Sequence, residues 1–219
     1  MDKVVVFDVI ETLLDLSPLD THFHRLFGDK SARLIWFGQM LQIAMTMTIT
    51  GVYEDFGKAA DAALSMTAVQ AGIEIAAEDR KAILGEIRRL PPHPDVRPAL
   101  EALRKRGTRV AALTNSTSQV AKAQLESARL SDLFEKILSV EAVKRYKPAR
   151  EPYEYAAREL GIGTGELLMI AAHAWDCAGA MAAGCQAAFV QRPGKSLNPL
   201  AKRPGIVVSD LNELIQKLQ

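Results

Sequence analysis

The stretch Val4-Val5-Val6-Phe7-Asp8-Val9-Ile10-Glu11-Thr12-Leu13 decides the fold. Its first residues form a continuous apolar run that ends at an acid. A strand without polar alternation is one covered on both faces, which places it at the centre of a parallel sheet. The run predicts a strand over Val4 to Asp8, with Asp8 at its carboxyl tip. No basic-then-apolar leader precedes it, so the expected location is cytoplasmic.

Downstream of this strand the pattern changes. Between Pro18 and Leu90 helical periodicity recurs over roughly 18–27, 31–49, 53–71 and 77–89, with no strand among them. Pro91-Pro92-His93-Pro94 then breaks the chain, since successive prolines forbid a helix. Beyond the break, strands at Val110–Thr114, Ile137–Val140, Leu167–Ala171, Ala187–Gln191 and Ile206–Val208 alternate with helices, the last over Asp210–Leu218. Such alternation means right-handed crossovers and helices on both faces of the sheet. The expected architecture is α/β: a Rossmann-like, doubly wound, mostly parallel sheet with an inserted all-helical cap. The core comprises 1–16 and 91–219, and the cap 17–90.

Composition narrows the function. The 219 residues carry 27 basic and 26 acidic side chains, a net charge of +1. Nucleic-acid and acidic-membrane binding need a concentrated basic surface, so neither is expected. The cluster Arg104-Lys105-Arg106 closes a helix before Gly107, where cations suit the helix dipole. Two cysteines, Cys177 and Cys185, without CxxC spacing make neither a disulfide framework nor a zinc site. The most apolar stretch, Leu34 to Ile49, is too short and too polar to span a bilayer.

Ligands of parallel α/β sheets bind beyond the carboxyl ends of the strands. Asp8, Thr114, Lys147 and Asp176 follow predicted strands in chain order. Singly, each has an ordinary explanation as helix cap, turn residue or solvated lysine. Together they define a candidate site.

At these residues a resemblance emerges. Phe7-Asp8-Val9-Ile10-Glu11-Thr12-Leu13, Leu113-Thr114-Asn115-Ser116, Tyr146-Lys147-Pro148 and Ala174-Trp175-Asp176 resemble the four motifs of the haloacid dehalogenase superfamily. The match is closest to its L-2-haloacid dehalogenases (type II) and runs nearly end to end. The resemblance implies that Asp8 attacks the substrate and that Thr12 holds the loop. Thr114 and Asn115 would bind the substrate carboxylate or the halide, and Lys147 would neutralise charge around Asp8. Asp176 would orient or deprotonate the hydrolytic water, and Tyr153 would belong to the same network. Ile10, Leu41, Phe56 and Trp175 are the expected apolar contacts of the substrate. No cofactor is implied.

The branch also follows from chemistry. A phosphatase of this fold needs a cation between its nucleophile and the phosphate dianion. It also needs an acid for the alkoxide leaving group, usually two residues after the nucleophile. That position is Ile10, and Ala171-Ala172-His173-Ala174-Trp175-Asp176 offers one acid only. Asp8 and Asp176 alone would make a thin magnesium site. A halide leaves without protonation, so the two missing carboxylates are the ones a dehalogenase does not need. The expected reaction is metal-independent hydrolysis of a small halogenated carboxylate.

Five positions depart from the dehalogenase pattern. Phe37 stands where the family has a halide-binding arginine, Glu11 replaces a glycine, Ala171 and Ala172 replace serines, and His173 replaces an asparagine. Arg25 or Arg33 could supply the lost cation, and His173 could donate to a halide or carboxylate. The departures keep open a related hydrolase acting on another small acid or a phosphate ester; a non-catalytic member is the other alternative. The apolar run Leu34-Ile35-Trp36-Phe37, continued through Met40, Leu41, Ile43, Ala44, Met45 and Met47, exceeds what one small cap buries easily. It predicts a homodimer through the cap.

Overall fold

The structure is a computed structural model that describes residues 4–218. Six strands, β1 (Val4–Phe7), β2 (Val110–Thr114), β3 (Lys136–Ser139), β4 (Leu167–Ala171), β5 (Gln186–Val190) and β6 (Ile206–Val208), form one sheet in the order β3-β2-β1-β4-β5-β6. Every pairing between them is parallel. β1 lies between β2 and β4 with all four residues buried, which is why its sequence shows no alternation. The chain winds one way from β1 to β3 and the other way from β4 to β6. The strand order therefore reverses between β1 and β4, where such sheets open a crevice at their carboxyl ends. Asp8 follows one of these strands, and Asp176 the other.

Helices α5 (Val96–Lys105), α6 (Ser118–Ser127), α7 (Arg150–Leu160), α8 (Ala174–Ala182) and α9 (Leu211–Lys217) cover the sheet. Helices α1 (Asp20–Phe27), α2 (Ala32–Thr50), α3 (Phe56–Ala71) and α4 (Ala77–Glu86) follow β1 with no strand between them. The chain leaves for this segment and returns from it side by side. Asp15 N donates to Pro91 O at 2.8 Å, and His93 N to Leu13 O at 2.9 Å. The two linkers are thereby held beside the loop that carries Asp8.

Element starts differ from the sequence reading by a few residues, and side-chain caps set several of them. Asp55 accepts from Lys58 N, so α3 begins at Phe56 rather than 53. Thr117 accepts from Val120 N, so α6 begins at Ser118 rather than Ser116. Capping of this kind satisfies an orphan N–H of the first turn.

α2 and α3 pack as a hairpin tied by polar bonds. Trp36 Nε1 donates to Ala60 O at 2.9 Å, and Gln39 Nε2 to Gln70 Oε1 at 2.7 Å. The far end of α2 leans on the core, where Tyr146 N donates to Thr48 Oγ1 at 3.0 Å. The apolar run on α2 divides: Trp36, Phe37, Met40 and Ala44 are buried, whereas Leu34 and Ile35 are 57% and 52% exposed. Among the described residues no helix is long and apolar enough to cross a membrane.

Candidate active site

Asp8 lies just beyond β1, and three side chains converge on its carboxylate. Thr12 Oγ1 donates to Oδ2 at 2.7 Å, Lys147 Nζ donates to Oδ1 at 2.8 Å, and His173 Nδ1 stands 3.1 Å from Oδ2. Thr12 also accepts from Ala172 N at 2.9 Å, so one hydroxyl joins the β1 and β4 loops. Arg192 Nε holds the Thr12 carbonyl at 3.1 Å from the loop after β5.

Lys147 is completely enclosed. Its ammonium donates to Asp8 Oδ1, to Asp176 Oδ2 at 2.6 Å and to Leu113 O at 2.9 Å, which spends all three of its protons. Asp176, in the first turn of α8, is equally enclosed, and its Oδ1 accepts from Tyr153 OH at 2.6 Å. α8 reaches this depth because Gly179 has no side chain. An added Cβ would stand 2.5 Å from Pro148 Cβ and 2.6 Å from Pro148 O.

The remaining expected residues are distributed unevenly. Asn115 Oδ1 accepts from Lys147 N at 3.1 Å, and Thr114 Oγ1 from Ser116 N at 3.2 Å, so both shape the loops around Lys147. Tyr153 is fully buried and meets Asp176 rather than open space. Ile10 and Phe56 line a cavity of about 220 Å³ between the sheet and helices α2 and α3, together with Trp36, Phe37, Met40 and Ser116. Leu41 does not line that cavity and packs half-buried against the main core. On α2 the cavity wall is formed by Trp36, Phe37 and Met40, and Met40 lies one residue, about 100° around the helix, from the residue the sequence suggested. Trp175 stacks on the His173 ring at 5.0 Å instead of lining the cavity.

His173 sits in a network that sequence reasoning missed. Its Nε2 is 2.9 Å from Glu11 Oε2, and its ring lies between Phe37 and Trp175, stacked on both. Glu11 also receives Lys195 Nζ at 2.5 Å and faces Arg33 at 3.6 Å. Arg33 binds Asp20 as well, while Arg25 is engaged at the surface by Asp79. Of the two arginines considered as replacement cations, Arg33 is the one near the site. Lys195 comes from the loop after β5, and its ammonium stands 5.6 Å from the Phe37 ring. Its position after a strand was the one available signal, because that loop leaves the same edge of the sheet.

Electrostatics follow from these contacts. Burial alone would raise the Asp8 pKa, but the Lys147 charge and then the His173 hydrogen bond hold it well below the ordinary carboxylate range. Burial disfavours the His173 imidazolium, yet hydrogen bonds to Asp8 and Glu11 outweigh it and push its pKa up to about 9. Burial and the nearby Asp8 charge raise Asp176 in spite of Lys147. At neutral pH Asp8 is an anion held between two cations in a buried site, an arrangement suited to nucleophilic attack.

Residues 3–184 match the model of the haloacid dehalogenase-like hydrolases. The chain is 27% identical over 216 residues to an (S)-2-haloacid dehalogenase of Pseudomonas sp. (strain YL), covering 98% of this chain and 93% of that one. It is 29% identical over 215 residues to haloacetate dehalogenase H-2 of Moraxella sp. (strain B), with 97% and 96% covered. The crystal structure of the L-2-haloacid dehalogenase RSc1362 superposes with a TM-score of 0.95 at 26% identity, covering 100% of this chain and 99% of the other. By fold, by the residues gathered around Asp8 and by these matches, the chain belongs to the haloacid dehalogenase-like hydrolases.

Proposed function

We propose that the chain hydrolyses the carbon–halogen bond of a small (S)-2-haloacid to give the 2-hydroxyacid. Asp8 displaces halide with inversion and becomes an ester, and water then attacks the ester carbonyl. The carrying observation is Lys147 Nζ bonded to both Asp8 Oδ1 and Asp176 Oδ2 at 2.8 and 2.6 Å. That ammonium keeps Asp8 ionised without a metal ion, and in a desolvated site its charge counts heavily. Ile10 and Phe56 offer an apolar wall for the substrate carbon, and no acid stands where a phosphate ester's leaving group would need one. Relatives named haloacid and haloacetate dehalogenases support the same reading.

The helical segment 17–90 serves as a lid, with α2 and α3 closing over Asp8, and its exposed apolar side chains pair two copies into a homodimer. Phe37 in place of the family's arginine, stacked on the His173 ring that Glu11 holds, favours a second reading in which the substrate is another small acid.

Halide release and intact protein mass, measured together on mixing with (S)-2-chloropropionate, test the proposal. Expected are halide release that persists in EDTA, transient added mass on the wild-type chain, and neither in Asp8→Asn. A strict Mg²⁺ requirement, restored by titrating it back, would overturn it in favour of a phosphatase.

A further inference from the structure

The ester reading leaves one step without an actor: something must take a proton from the water that attacks the Asp8 ester. Thr12 has its one proton on Asp8 and a lone pair on Ala172 N. Lys147 has no proton acceptor capacity while its three protons bind Asp8, Asp176 and Leu113. Asp176, the residue to which resemblance gives this role, has Oδ1 on Tyr153, Oδ2 on Lys147 and no exposed surface. The remaining group in contact with Asp8 is His173, the one of the three whose protonation can change within the reaction. Its Nδ1 lies beside the carboxyl group that water must attack. Its ring is fixed by Glu11 at Nε2 and by Phe37 and Trp175 on its faces.

Building on the aspartyl-ester reading, we propose that His173 is the base that deprotonates the hydrolytic water, with Glu11 as the positioning residue that holds its ring. The order of events is set by charge. While Asp8 is an anion, His173 is held as imidazolium between two carboxylates. Displacement breaks the carbon–halogen bond, forms the bond from carbon to the Asp8 oxygen and expels halide with the electron pair. Asp8 thereby loses its charge, and the support it gives the imidazolium disappears. One proton then leaves His173 to solvent. The neutral ring takes a proton from water as the water oxygen bonds to the Asp8 carboxyl carbon. That proton passes to the hydroxyl oxygen of the product as the ester bond breaks. The new Asp8 carboxyl returns its own proton to His173, which restores the starting state. The net products are hydroxyacid, halide and one proton.

The charged groups bonded to the ring are Asp8 and Glu11 from the β1 loop; Lys147, in the loop after β3, acts on it through Asp8, and on its far side holds Asp176 of α8. Lys195 and Arg33 act on it through Glu11. In the ester state Glu11 is the one remaining anion bonded to the ring, so it controls the pH at which the base is free.

Rapid mixing with (S)-2-chloropropionate, followed by quenching, separates the two half-reactions through halide release and intact mass. His173→Asn and His173→Gln are expected to keep a stoichiometric halide burst and to accumulate the ester. Their ester hydrolysis should fall about 10²- to 10⁴-fold, the usual worth of a general base. In the wild type, ester hydrolysis should rise with pH through one ionisation, and Glu11→Gln should move that ionisation to lower pH. This comparison stands even if both His173 variants fail to fold. Wild-type turnover without ester accumulation in either His173 variant would overturn the assignment to His173. An ionisation that does not move in Glu11→Gln would overturn it too. Asp8→Asn turning over like the wild type, with no added mass on any chain, would instead overturn the ester reading itself.

Discussion

Glu11 Oε2 lies 2.9 Å from His173 Nε2, and the Glu11 backbone adopts φ 63° to bring it there. A side chain with a Cβ in this left-handed region costs about 1–2 kcal/mol. Bonds to His173 and Lys195 and the proximity of Arg33 offset that strain. The His173 pKa is raised from 6.5 to about 9 by its two carboxylate partners, against the opposing effect of burial. The folded protein therefore binds this proton more tightly than the unfolded chain. The resulting stability is fully present below about pH 6.5 and is lost as pH rises through about 9. Linkage puts it at about 3 kcal/mol, to order of magnitude. Urea midpoints should thus decline between pH 6.5 and 9 in the wild type, and the decline should be absent in His173→Gln. An equal slope in both proteins would mean that His173 is neutral in the folded state.

Lys147→Ala should lose both activity and stability. The substitution leaves Asp176 enclosed without a counter-charge and facing Asp8, whose one remaining cationic partner is His173. Removing one member of a buried ion pair typically costs about 3–5 kcal/mol. Lys147→Arg restores the charge but must fit a larger planar group where Lys147 has no exposed surface. Its activity should lie between alanine and wild type, with stability closer to wild type. Denaturant melts and single-turnover halide release measure the two effects, and unchanged kinetics in Lys147→Ala would make the lysine dispensable.

Asp8, Lys147 and Asp176 were legible in sequence because each follows a strand, and strand ends in a parallel sheet share one edge. The alternation after Pro94 gave the sheet, and the apolar run at Val4 gave its centre. Leu41 was misplaced because residues 40 and 41 are both apolar and differ only in rotation around α2, which the hairpin with α3 sets. Tyr153 carries its hydroxyl to Asp176 through the packing of α7 on α8, a contact that spacing does not encode. The partnership of Glu11 with His173 and Lys195 was hidden for a different reason. It joins positions separated by 162 and 184 residues, and it depends on a left-handed backbone at a residue type that rarely adopts one.

Phe37→Arg puts back the cation that the dehalogenase pattern has at this position, yet it should harm this chain. Phe37 is buried, stacked on His173 at 5.8 Å and beneath the Lys195 ammonium at 5.6 Å. A guanidinium there meets two cations and loses the aromatic contact. Like-charge repulsion lowers the His173 pKa, and the melting temperature should fall, most steeply at low pH where the imidazolium is obligatory. Pairing it with His173→Asn, which removes one of the two cations, should recover part of the loss. A double-mutant cycle on stability measures the coupling, and strict additivity would mean that residues 37 and 173 do not interact.

The exposed apolar side chains of the helical hairpin should pair two copies of the chain. Leu34 and Ile35 on α2 are more than half exposed, as is Val69 on α3 at 79%, and Met66 is 43% exposed. The Gln39–Gln70 hydrogen bond brings the start of α2 beside the end of α3, so these side chains gather at one end of the hairpin. Clustered apolar surface of this kind is costly in water and usually marks an interface. Trp36, Phe37 and Met40 are already buried from the opposite side of α2, so pairing leaves the cavity wall intact. It also fixes the hairpin whose Phe37 stacks on His173 beside Asp8. Sedimentation at micromolar concentration should give about twice the 23.9 kDa of one chain. Ile35→Glu together with Val69→Glu should return it to monomer while leaving the fold in place. A wild-type species of 23.9 kDa under the same conditions removes the interface, and with it any role of a second copy in holding the lid.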